Sequence, residues 1–255
     1  MIKKAILKIK QRIDHFQNII NNYILYKKEY AVFKESHGER FLVEAEDKYP
    51  CLDDKTATTG FDKHYIYHTA WAARKLKELM PNEHVDISSY LYFSTLVSAF
   101  IPIRFYDYRP ALISLENLEC SHADVTKLPF KENTIESLSC MHVVEHIGLG
   151  RYGDPLDVDG DLKAIRELKR VVAVNGYFLF VVPMGKAKIM FNAHRIYSYE
   201  QIIEYFSGFE LVEFSLIPDK SDEGLIVHAL KEQADMQSYG CGCFLFRKID
   251  RSGLI

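Results

Sequence analysis

The apolar run at residues 138–147 stops at a group of titratable side chains. It reads Leu-Ser-Cys-Met-His-Val-Val-Glu-His-Ile, and its polar end holds His142, Glu145 and His146. Apolar residues bounded by polar ones over this length predict a buried strand that ends at about His146. Ligands of open α/β sheets bind outside the carboxyl ends of the strands, so we expect these three side chains at a ligand-binding edge.

The residues after this run predict a parallel crossover. Residues 161–172 carry apolar side chains at helical spacing, and Asn175-Gly176 then breaks the pattern. Residues 177–183 are too apolar for a strand with one solvent-exposed face. Strand, helix and strand in this succession are typical of a parallel sheet whose two faces are covered by helices.

Other periodic segments extend the sheet. Residues 62–80 predict a helix that Pro81 ends, and residues 101–106 predict a strand. Ser198 is expected to cap a further helix, and two late segments predict strands that pair antiparallel at a sheet edge: 209–217 and 241–249. We therefore expect a doubly wound, mostly parallel α/β sheet with an antiparallel C-terminal edge strand, in a domain that covers residues 62–255.

The N-terminal 61 residues form a different kind of segment. Residues 2–34 place apolar side chains at spacings of three and four with lysines between them, which predicts a basic amphipathic helix. Residues 36–61 are polar and rich in turn formers, which is typical of a linker or of a loop on the substrate side. We expect the helix to pack on the domain or on a second subunit; a peripheral contact with anionic lipid is the other interpretation.

Charge and cysteine content exclude some classes of protein. The net charge is −3 over 255 residues, and because residues 1–34 carry +6, the remainder carries −9. Such a chain has no electrostatic surface for nucleic acid outside its N-terminal helix. The five cysteines are an odd number and widely scattered, which indicates a reducing cytoplasm. We identify neither a signal peptide nor an 18-residue apolar run.

Three aspartates are expected along one rim. Asp86 and Asp107 lie 21 residues apart, about the spacing at which dinucleotide-type folds place the acid that binds ribose hydroxyls. Asp124 follows at the next strand end and precedes a Leu-Pro-Phe turn. Because successive parallel strands end at the same edge, the three carboxyl groups should face the same ligand.

Four segments together resemble the class I S-adenosylmethionine-dependent methyltransferases, a Rossmann-like superfamily, over roughly residues 82–217. The first is the acidic Leu-Pro-Phe segment at 122–130, and the second is the strand with its Glu-His ending at 135–147. The third is the helix and turn before the fifth strand at 167–176, and the fourth is the segment after that strand at 193–210. More narrowly, residues 142–155 and 191–198 resemble an uncharacterised bacterial branch of this superfamily.

The resemblance implies a cofactor site for S-adenosylmethionine. Asp107 would bind the ribose hydroxyls and Asp124 would face the adenine amino group, with Val125 and Met141 as apolar walls. The turn from Asp86 through Ser88 to Ser89 would bring backbone amides to the methionine carboxylate. The superfamily's Gly-x-Gly is here Ser88-Ser89-Tyr90. Glycine permits positive φ and close approach, so its absence makes a tight turn harder to form.

Four residues are candidates for catalysis: His142, Glu145, His146 and His194. A histidine beside a carboxylate can take the proton from an attacking hydroxyl at neutral pH. A second role is a metal site, because small-RNA 2′-O-methyltransferases of the superfamily use Glu-x-x-Glu-His with a later His. A third is purely structural, with Glu145 and His146 capping the following turn. We favour the base and expect no metal, since His142 replaces a carboxylate and softens the site for a hard ion.

Other metal motifs fit poorly. His142-x-x-Glu145-His146 is also the inverted zinc-protease signature, but that motif needs a helix, and glycines follow at once. His64 and His68 are spaced as a ligand pair, although packing is the commoner reason for such histidines. Cys241-x-Cys243 is too isolated in the sequence for a zinc site.

The glycine- and acid-rich segment 148–160 is expected to bind the acceptor. Arg151 can clamp a carboxylate or phosphate, and Tyr152, Asp154 and the more distant Arg195 are the other candidate substrate residues. The sequence thus predicts methyl transfer to an oxygen or nitrogen of a small polar acceptor, for example a sugar or glycan precursor. The alternative is a methyltransferase-like protein that lacks catalysis and acts in binding or assembly, which the missing glycines favour.

Overall fold

The computed structural model describes residues 2–36, 40–220 and 222–250. The chain divides into two compact units, Met1–Phe61 and Asp62–Ile255. Within the described ranges, each helix is too short or too polar to span a bilayer.

The N-terminal unit is dominated by one long helix, α1 (Ile2–Ser36), which confirms the predicted helix at residues 2–34. Large apolar side chains along α1 are exposed within the structure, among them Ile13 at 63%, Phe16 at 65% and Val32 at 66%. Lys55 pairs with Glu29 in this unit. The side chain of Asn22 donates to the carbonyl of Leu52 at 2.7 Å.

The second unit is built on a seven-stranded sheet in the order β3-β2-β1-β4-β5-β9-β8. Its strands in chain order are β1 (His84–Ile87), β2 (Ile103–Asp107), β3 (Leu118–His122), β4 (Ile135–Met141), β5 (Val172–Met184), β8 (Phe209–Ile217) and β9 (Gly240–Lys248), while β6 (Lys188–Met190) and β7 (His194–Ile196) form a separate two-stranded ribbon. The ladders from β3 to β5 are all parallel. This confirms the predicted mostly parallel, doubly wound sheet.

The helices of this unit cover both faces of the sheet. They are α2 (Lys63–Leu79), α3 (Leu91–Val97), α4 (Gly160–Val171), α5 (Tyr199–Tyr205) and the short α6 (Lys231–Asp235). One core cluster joins α4 and α5 to the sheet around Phe178, Phe180 and Phe206. The other joins α2 and α3 to the opposite face around Trp71 and Leu179. Burying apolar surface on both faces is what drives a parallel sheet to this architecture.

The C-terminal strands pair as predicted. β8 runs antiparallel to β9, and β9 also runs antiparallel to β5. The antiparallel strand β9 therefore lies one position inside the edge strand β8. Ser198 caps α5 through a reciprocal capping box with Gln201, which confirms the predicted start of that helix.

A buried ion pair holds α2 against β8. The Glu213 carboxylate accepts from the Trp71 indole at 2.8 Å and from the Lys75 ammonium at 2.7 Å. Burial by itself would raise the pKa of Glu213, but the hydrogen bonds from Lys75, Trp71 and Ser215 outweigh it and leave the pKa below its ordinary value. The pair fixes the helix whose N-terminal turn faces the candidate site described below.

The predicted end of the fourth strand is wrong by five residues. β4 ends at Met141, and His142 adopts a φ of 57°. The amide of His142 donates the last ladder bond, to the carbonyl of Val181 at 2.9 Å. Val144–His146 then form a 3-10 turn. The apolar residues after Met141 therefore pack a turn, because a left-handed residue cannot continue an extended strand.

Candidate functional site

The larger cavity of the second unit has a volume of about 430 Å³ and lies at the carboxyl ends of β1, β2 and β4. Six of the seven residues predicted to bind a cofactor line it: Ser88, Ser89, Asp107, Asp124, Val125 and Met141. The volume is within the usual range for cavities that hold small molecules. The parallel order of the strands explains why residues distant in sequence meet here.

Two of the predicted carboxyl groups face this cavity from neighbouring strand ends. Asp107, the last residue of β2, accepts from the backbone N–H of Arg109 at 2.7 Å. Asp124 accepts from the backbone N–H of Thr126 at 2.8 Å and from its hydroxyl at 2.7 Å. These local turns orient both side chains, as Asx turns do in loops. Each carboxylate keeps acceptor capacity for a ligand.

The turn after β1 forms without glycine. Ser88 adopts a φ of 55°, its backbone N–H donates to the carbonyl of Tyr106 at 2.7 Å, and its hydroxyl donates to the same carbonyl at 3.2 Å. The hydroxyl of Ser89 accepts from the backbone N–H of Met141 at 3.0 Å. Serine therefore takes a conformation that usually selects glycine, at a cost of about 1–2 kcal/mol. The expected obstacle to a tight turn is overcome by these bonds.

Asp86 does not line the cavity, which corrects its predicted place at the cofactor. It is fully buried, and its carboxylate accepts from the hydroxyls of Ser139, at 2.7 Å, and Ser94. Ser139 in turn lies 2.8 Å from Nε2 of His84, whose Nδ1 lies 2.8 Å from the hydroxyl of Ser137. Since Ser139 donates to Asp86, it accepts from His84.

Burial shifts both titratable groups of this network. It raises the pKa of Asp86 to about 6 and lowers the pKa of His84 to about 3, because the charged form of each is disfavoured away from water. Asp86 thus supports the turn from beneath instead of binding a ligand.

A second, more polar cavity of about 270 Å³ adjoins the first. Its lining comes from the N-terminal end of α2, from the loop after β4, from the first residue of β7 and from the residue before β9. The residues are Asp62, His64, Tyr65, His142, Glu145, His146, Arg151, Tyr152, His194 and Tyr239. Tyr65, His142, His146 and Tyr152 line both cavities. The four predicted catalytic residues all contribute to this second cavity.

His146 and His194 meet at the wall of the second cavity, with ring centroids 6.4 Å apart. Nδ1 of His146 lies 2.6 Å from the carbonyl of Ala193, so Nδ1 carries the hydrogen in the neutral ring and Nε2 holds the lone pair. Arg151 donates to the same carbonyl at 3.0 Å. Burial lowers the pKa of His194; the buried Glu145 opposes this shift and the guanidinium of Arg151 adds to it.

Glu145 is almost fully buried at 1% exposure. Its Oε1 lies 2.8 Å from Nδ1 of His142 and 3.8 Å from Nε2 of His146. Its Oε2 has no hydrogen-bond partner among the described residues. Buried carboxylate oxygens are rarely left unpaired, so this atom marks a place where a ligand or cation would be favoured.

The predicted acceptor residues divide into two groups. Arg151 and Tyr152 line the second cavity, with the guanidinium of Arg151 over the Tyr152 ring at 5.1 Å. Asp154 lines the first cavity and accepts from the backbone N–H groups of Gly148, at 2.7 Å, and Tyr152, at 3.2 Å. The carboxylate of Asp154 is thus engaged in shaping its own loop.

Arg195 lies outside both cavities and is not placed to contact an acceptor. It is buried, donates to the carbonyls of Ile147 at 2.6 Å and Val158 at 3.3 Å, and approaches Asp161 at 3.5 Å. Its fork geometry ties β7 to the loop before α4. This corrects the sequence prediction, which could not distinguish a clamp for a ligand from a clamp for backbone carbonyls.

Helix α2 supplies site residues that the sequence prediction set aside. Tyr65 packs against Tyr90 and His142 with ring centroids 5.0 and 5.6 Å apart, and burial raises its pKa to about 12. His68 is fully buried. The four-residue spacing of His64 and His68 was the signal for this helix, but spacing alone does not show which site a helix faces.

Cys241 is not isolated, contrary to the expectation from sequence. One ligand atom from each of His64, His142 and Cys241 lies within 4.8 Å of the others. The Sγ of Cys241 and Nε2 of His142 are 3.3 Å apart. Nothing in the sequence pattern indicated this meeting, because the three residues belong to different elements.

Solved structures show the same fold. The N-methyltransferase NodS from Bradyrhizobium japonicum WM9, in complex with S-adenosyl-L-homocysteine, is 14% identical with a TM-score of 0.53; the match covers 79% of this chain and 92% of NodS. The YcgJ protein from Bacillus subtilis is 14% identical with a TM-score of 0.50, over 72% of this chain and 99% of YcgJ. The second unit therefore has the class I methyltransferase fold.

Sequence comparison assigns the family. No curated protein matches the chain. A family model described as "Caenorhabditis protein of unknown function, DUF268" matches residues 107–248, which is more than half of the chain and runs from the end of β2 to the end of β9. The chain belongs to the DUF268 family.

Proposed function

We propose that the protein is an S-adenosylmethionine-dependent methyltransferase that acts on an oxygen or nitrogen nucleophile of a small polar acceptor, such as a sugar or glycan precursor. The observation that carries the proposal is the pair of adjoining cavities, which share Tyr65, His142, His146 and Tyr152. One cavity offers the acids and apolar walls that suit a nucleoside. The other offers a proton acceptor beside it.

The residues of the larger cavity fit the nucleoside of S-adenosylmethionine. Asp107 would accept from the ribose hydroxyls and Asp124 from the adenine amino group, with Val125 and Met141 against the base. The positive φ of Ser88 supports binding of the methionine end, because the turn takes the shape that glycine usually provides. This weakens the reason for the alternative, a protein of the same fold that lacks catalysis.

His146 is the proposed general base. Bound S-adenosylmethionine would supply an electrophilic methyl group to the acceptor. Nδ1 of His146 is held by the carbonyl of Ala193, so Nε2 is free to take the acceptor's proton. The buried Glu145, 3.8 Å from Nε2, stabilises the imidazolium that forms.

The acceptor would enter the second cavity. Arg151 and Tyr152 lie at its wall, and a guanidinium there favours acceptors that carry a carboxylate or phosphate. His194, whose pKa is lowered by burial, stays neutral near pH 7 and can hydrogen-bond a hydroxyl. A sugar acid or sugar phosphate would satisfy both groups.

The location and the partners of the protein are also part of the proposal. A cytoplasmic location, the absence of a nucleic-acid partner and membership of a bacterial branch of the superfamily belong to the proposal and rest on the amino-acid sequence alone. We propose that α1 forms a contact with a second subunit or with a membrane surface, since its exposed apolar side chains alternate with lysines.

The proposal is tested by calorimetry with S-adenosylmethionine and S-adenosylhomocysteine, followed by transfer of labelled methyl groups to sugar phosphates and sugar acids. We expect both nucleosides to bind. Asp107→Ala should weaken binding about 100-fold, since it removes two charge-assisted hydrogen bonds. Glu119→Ala is the matched control, because Glu119 is an exposed acid on the neighbouring strand β3.

Two results would count against the proposal. Absence of a binding heat for both nucleosides with folded wild-type protein would remove the cofactor assignment. Binding without transfer to any acceptor of these classes would favour the alternative without catalysis.

A further inference from the structure

We propose that His64, His142 and Cys241 form a binding site for a zinc-type divalent transition-metal ion. The ligand atoms of the three side chains all lie within 4.8 Å of one another. They come from α2, from the residue that follows β4, and from β9. The proposal goes beyond methyl transfer, and its test does not depend on S-adenosylmethionine.

His142 is oriented as a metal ligand. Its Nδ1 lies 2.8 Å from Oε1 of the buried Glu145, and its Nε2 lies 3.3 Å from Sγ of Cys241. Because a carboxylate oxygen accepts, Nδ1 donates and the lone pair of the neutral ring is on Nε2, toward the sulfur. A carboxylate behind an imidazole fixes its tautomer in many metal sites.

His64 reaches the cluster from α2. Its ring packs against the ring of Tyr239 with centroids 5.0 Å apart. The rings of His64 and His142 are stacked with centroids 5.5 Å apart. Neutral imidazole is the form that binds a metal.

Cys241 supplies the sulfur ligand. It is fully buried, and its Sγ lies 3.3 Å from Nε2 of His142. Because Nε2 of His142 holds the lone pair, the S–H of Cys241 donates to it in the metal-free protein. Metal binding would form a metal–sulfur bond, break the S–H bond and release one proton to solvent. Two imidazoles and one thiolate favour zinc over hard ions such as magnesium.

Two buried polar atoms beside the cluster have no hydrogen-bond partner among the described residues. They are Oε2 of Glu145 and Nε2 of His68, and the His68 ring lies edge-on to His142 at 5.0 Å. A buried carboxylate with an unpaired oxygen is costly, and a nearby divalent cation would compensate its charge. The unpaired Oε2 is thus a second observation that points to a cation here.

The site borders the second cavity, which His64 and His142 also line. A fourth ligand would come from that cavity as a water molecule or as an acceptor atom. The His146 and His194 pair stays outside the three-residue set, so a metal here does not replace the proposed base.

The test is cobalt binding to the full-length, tag-free protein after chelation and dialysis. We expect one equivalent of Co²⁺, a sulfur-to-cobalt charge-transfer band, release of one proton and displacement by Zn²⁺. Cys241→Ser should abolish the band, and His64→Gln should weaken binding at least about tenfold. Cys140→Ala is the control, because Cys140 is equally buried in β4 but outside the set.

Circular dichroism of each metal-free variant shows whether it is folded. His64→Gln is the milder change, since His64 is only partly buried, so it keeps the test valid if Cys241→Ser does not fold. Wild-type protein that binds less than one equivalent, or binds cobalt without the band, would overturn the site. Unchanged cobalt binding in His64→Gln would do the same. A failure of nucleoside binding in calorimetry leaves this result unaffected.

Discussion

The imidazole rings of His146 and His194 meet edge to face with centroids 6.4 Å apart, although 48 residues separate them in the chain. They follow β4 and β5, two adjacent parallel strands, and such strands deliver their following loops to one end of the sheet. The separation is below the ~10 Å beyond which the two side chains could not serve one ligand. A shared role for them is therefore open to direct tests.

His146→Ala should lower the rate of methyl transfer by about 10²–10⁴, the usual contribution of a general base. The affinity for S-adenosylhomocysteine should fall far less than the rate, because His146 lies where the two cavities meet, whereas Asp107 and Asp124 are the proposed polar contacts of the nucleoside. His194→Gln is the paired variant, and we expect it to raise the acceptor KM more than it lowers kcat. Single-turnover rates and calorimetry measure the two effects.

The reverse pattern would identify the other histidine as the base: a large loss of kcat in His194→Gln and a small one in His146→Ala. Sensitivity of the rate to chelator would instead link the zinc-type site to catalysis.

Local signals explain what could be predicted from the sequence. The strand predicted at residues 209–217 is observed as Phe209–Ile217, and the helix cap at Ser198 is observed with its capping box. Alternation and capping depend on residues a few positions apart, so a single sequence contains the information. The prediction of the end of β4 was wrong because Val143 and Val144 continue the apolar pattern although they belong to a turn.

Tertiary proximity explains what could not be predicted. His64, His142 and Cys241 meet although 78 and 99 residues separate them, and no short-range spacing records such a meeting. Asp86 was placed at the ligand because an acid at a strand end is common in nucleotide sites. Instead, its carboxylate accepts hydrogen bonds from two buried hydroxyl groups. Which polar groups satisfy one another in the core is decided by packing, not by sequence spacing.

Removal of residues 1–61 should leave nucleoside binding unchanged, because each residue that lines the two cavities belongs to the unit Asp62–Ile255. The truncated protein should lose any self-association or vesicle binding that the intact chain shows, since the exposed apolar and basic side chains of α1 are removed. Light scattering and vesicle sedimentation measure this. Equal behaviour of the two proteins in both assays would contradict a docking role for α1.

Gly148→Ala should destabilise the loop that closes the larger cavity. Gly148 has a φ of 82°, and an added Cβ would lie 2.0 Å from the carbonyl oxygen of Asp157, so the backbone must move. Gly153→Ala is a matched control: its φ is 86°, but a Cβ there meets nothing within 4 Å.

We expect the control to cost about 1–2 kcal/mol from backbone strain alone. Gly148→Ala should cost more and should also weaken nucleoside binding, because Gly148 and Asp157 line the cavity. Denaturant unfolding and calorimetry separate the two effects. If both variants lose stability and affinity equally, the contact with Asp157 does not shape the site.

The buried network of His84 and Asp86 makes opposite contributions to stability as the pH changes. Burial lowers the pKa of His84 to about 3, so its contribution is present above its unfolded pKa of 6.5 and is lost as the pH falls toward 3. Burial raises the pKa of Asp86 to about 6, so its contribution is present below its unfolded pKa of 3.8 and is lost as the pH rises through 6. Between pH 3.8 and about pH 6, the two groups therefore change the free energy of unfolding in opposite directions as the pH changes.

Asp86→Asn removes the contribution of Asp86 to the pH dependence of the free energy of unfolding and keeps the shape of the side chain. The contribution of His84 is then unopposed, so the free energy of unfolding should fall more steeply on acidification from pH 6 to pH 4 than in the wild type. The difference should approach about 1.4 kcal/mol per pH unit at most, the value for one proton. Urea unfolding at several pH values measures both slopes, and every exposed group cancels in the comparison. Parallel curves for the two proteins would mean that Asp86 does not take up a proton in the folded state over this range.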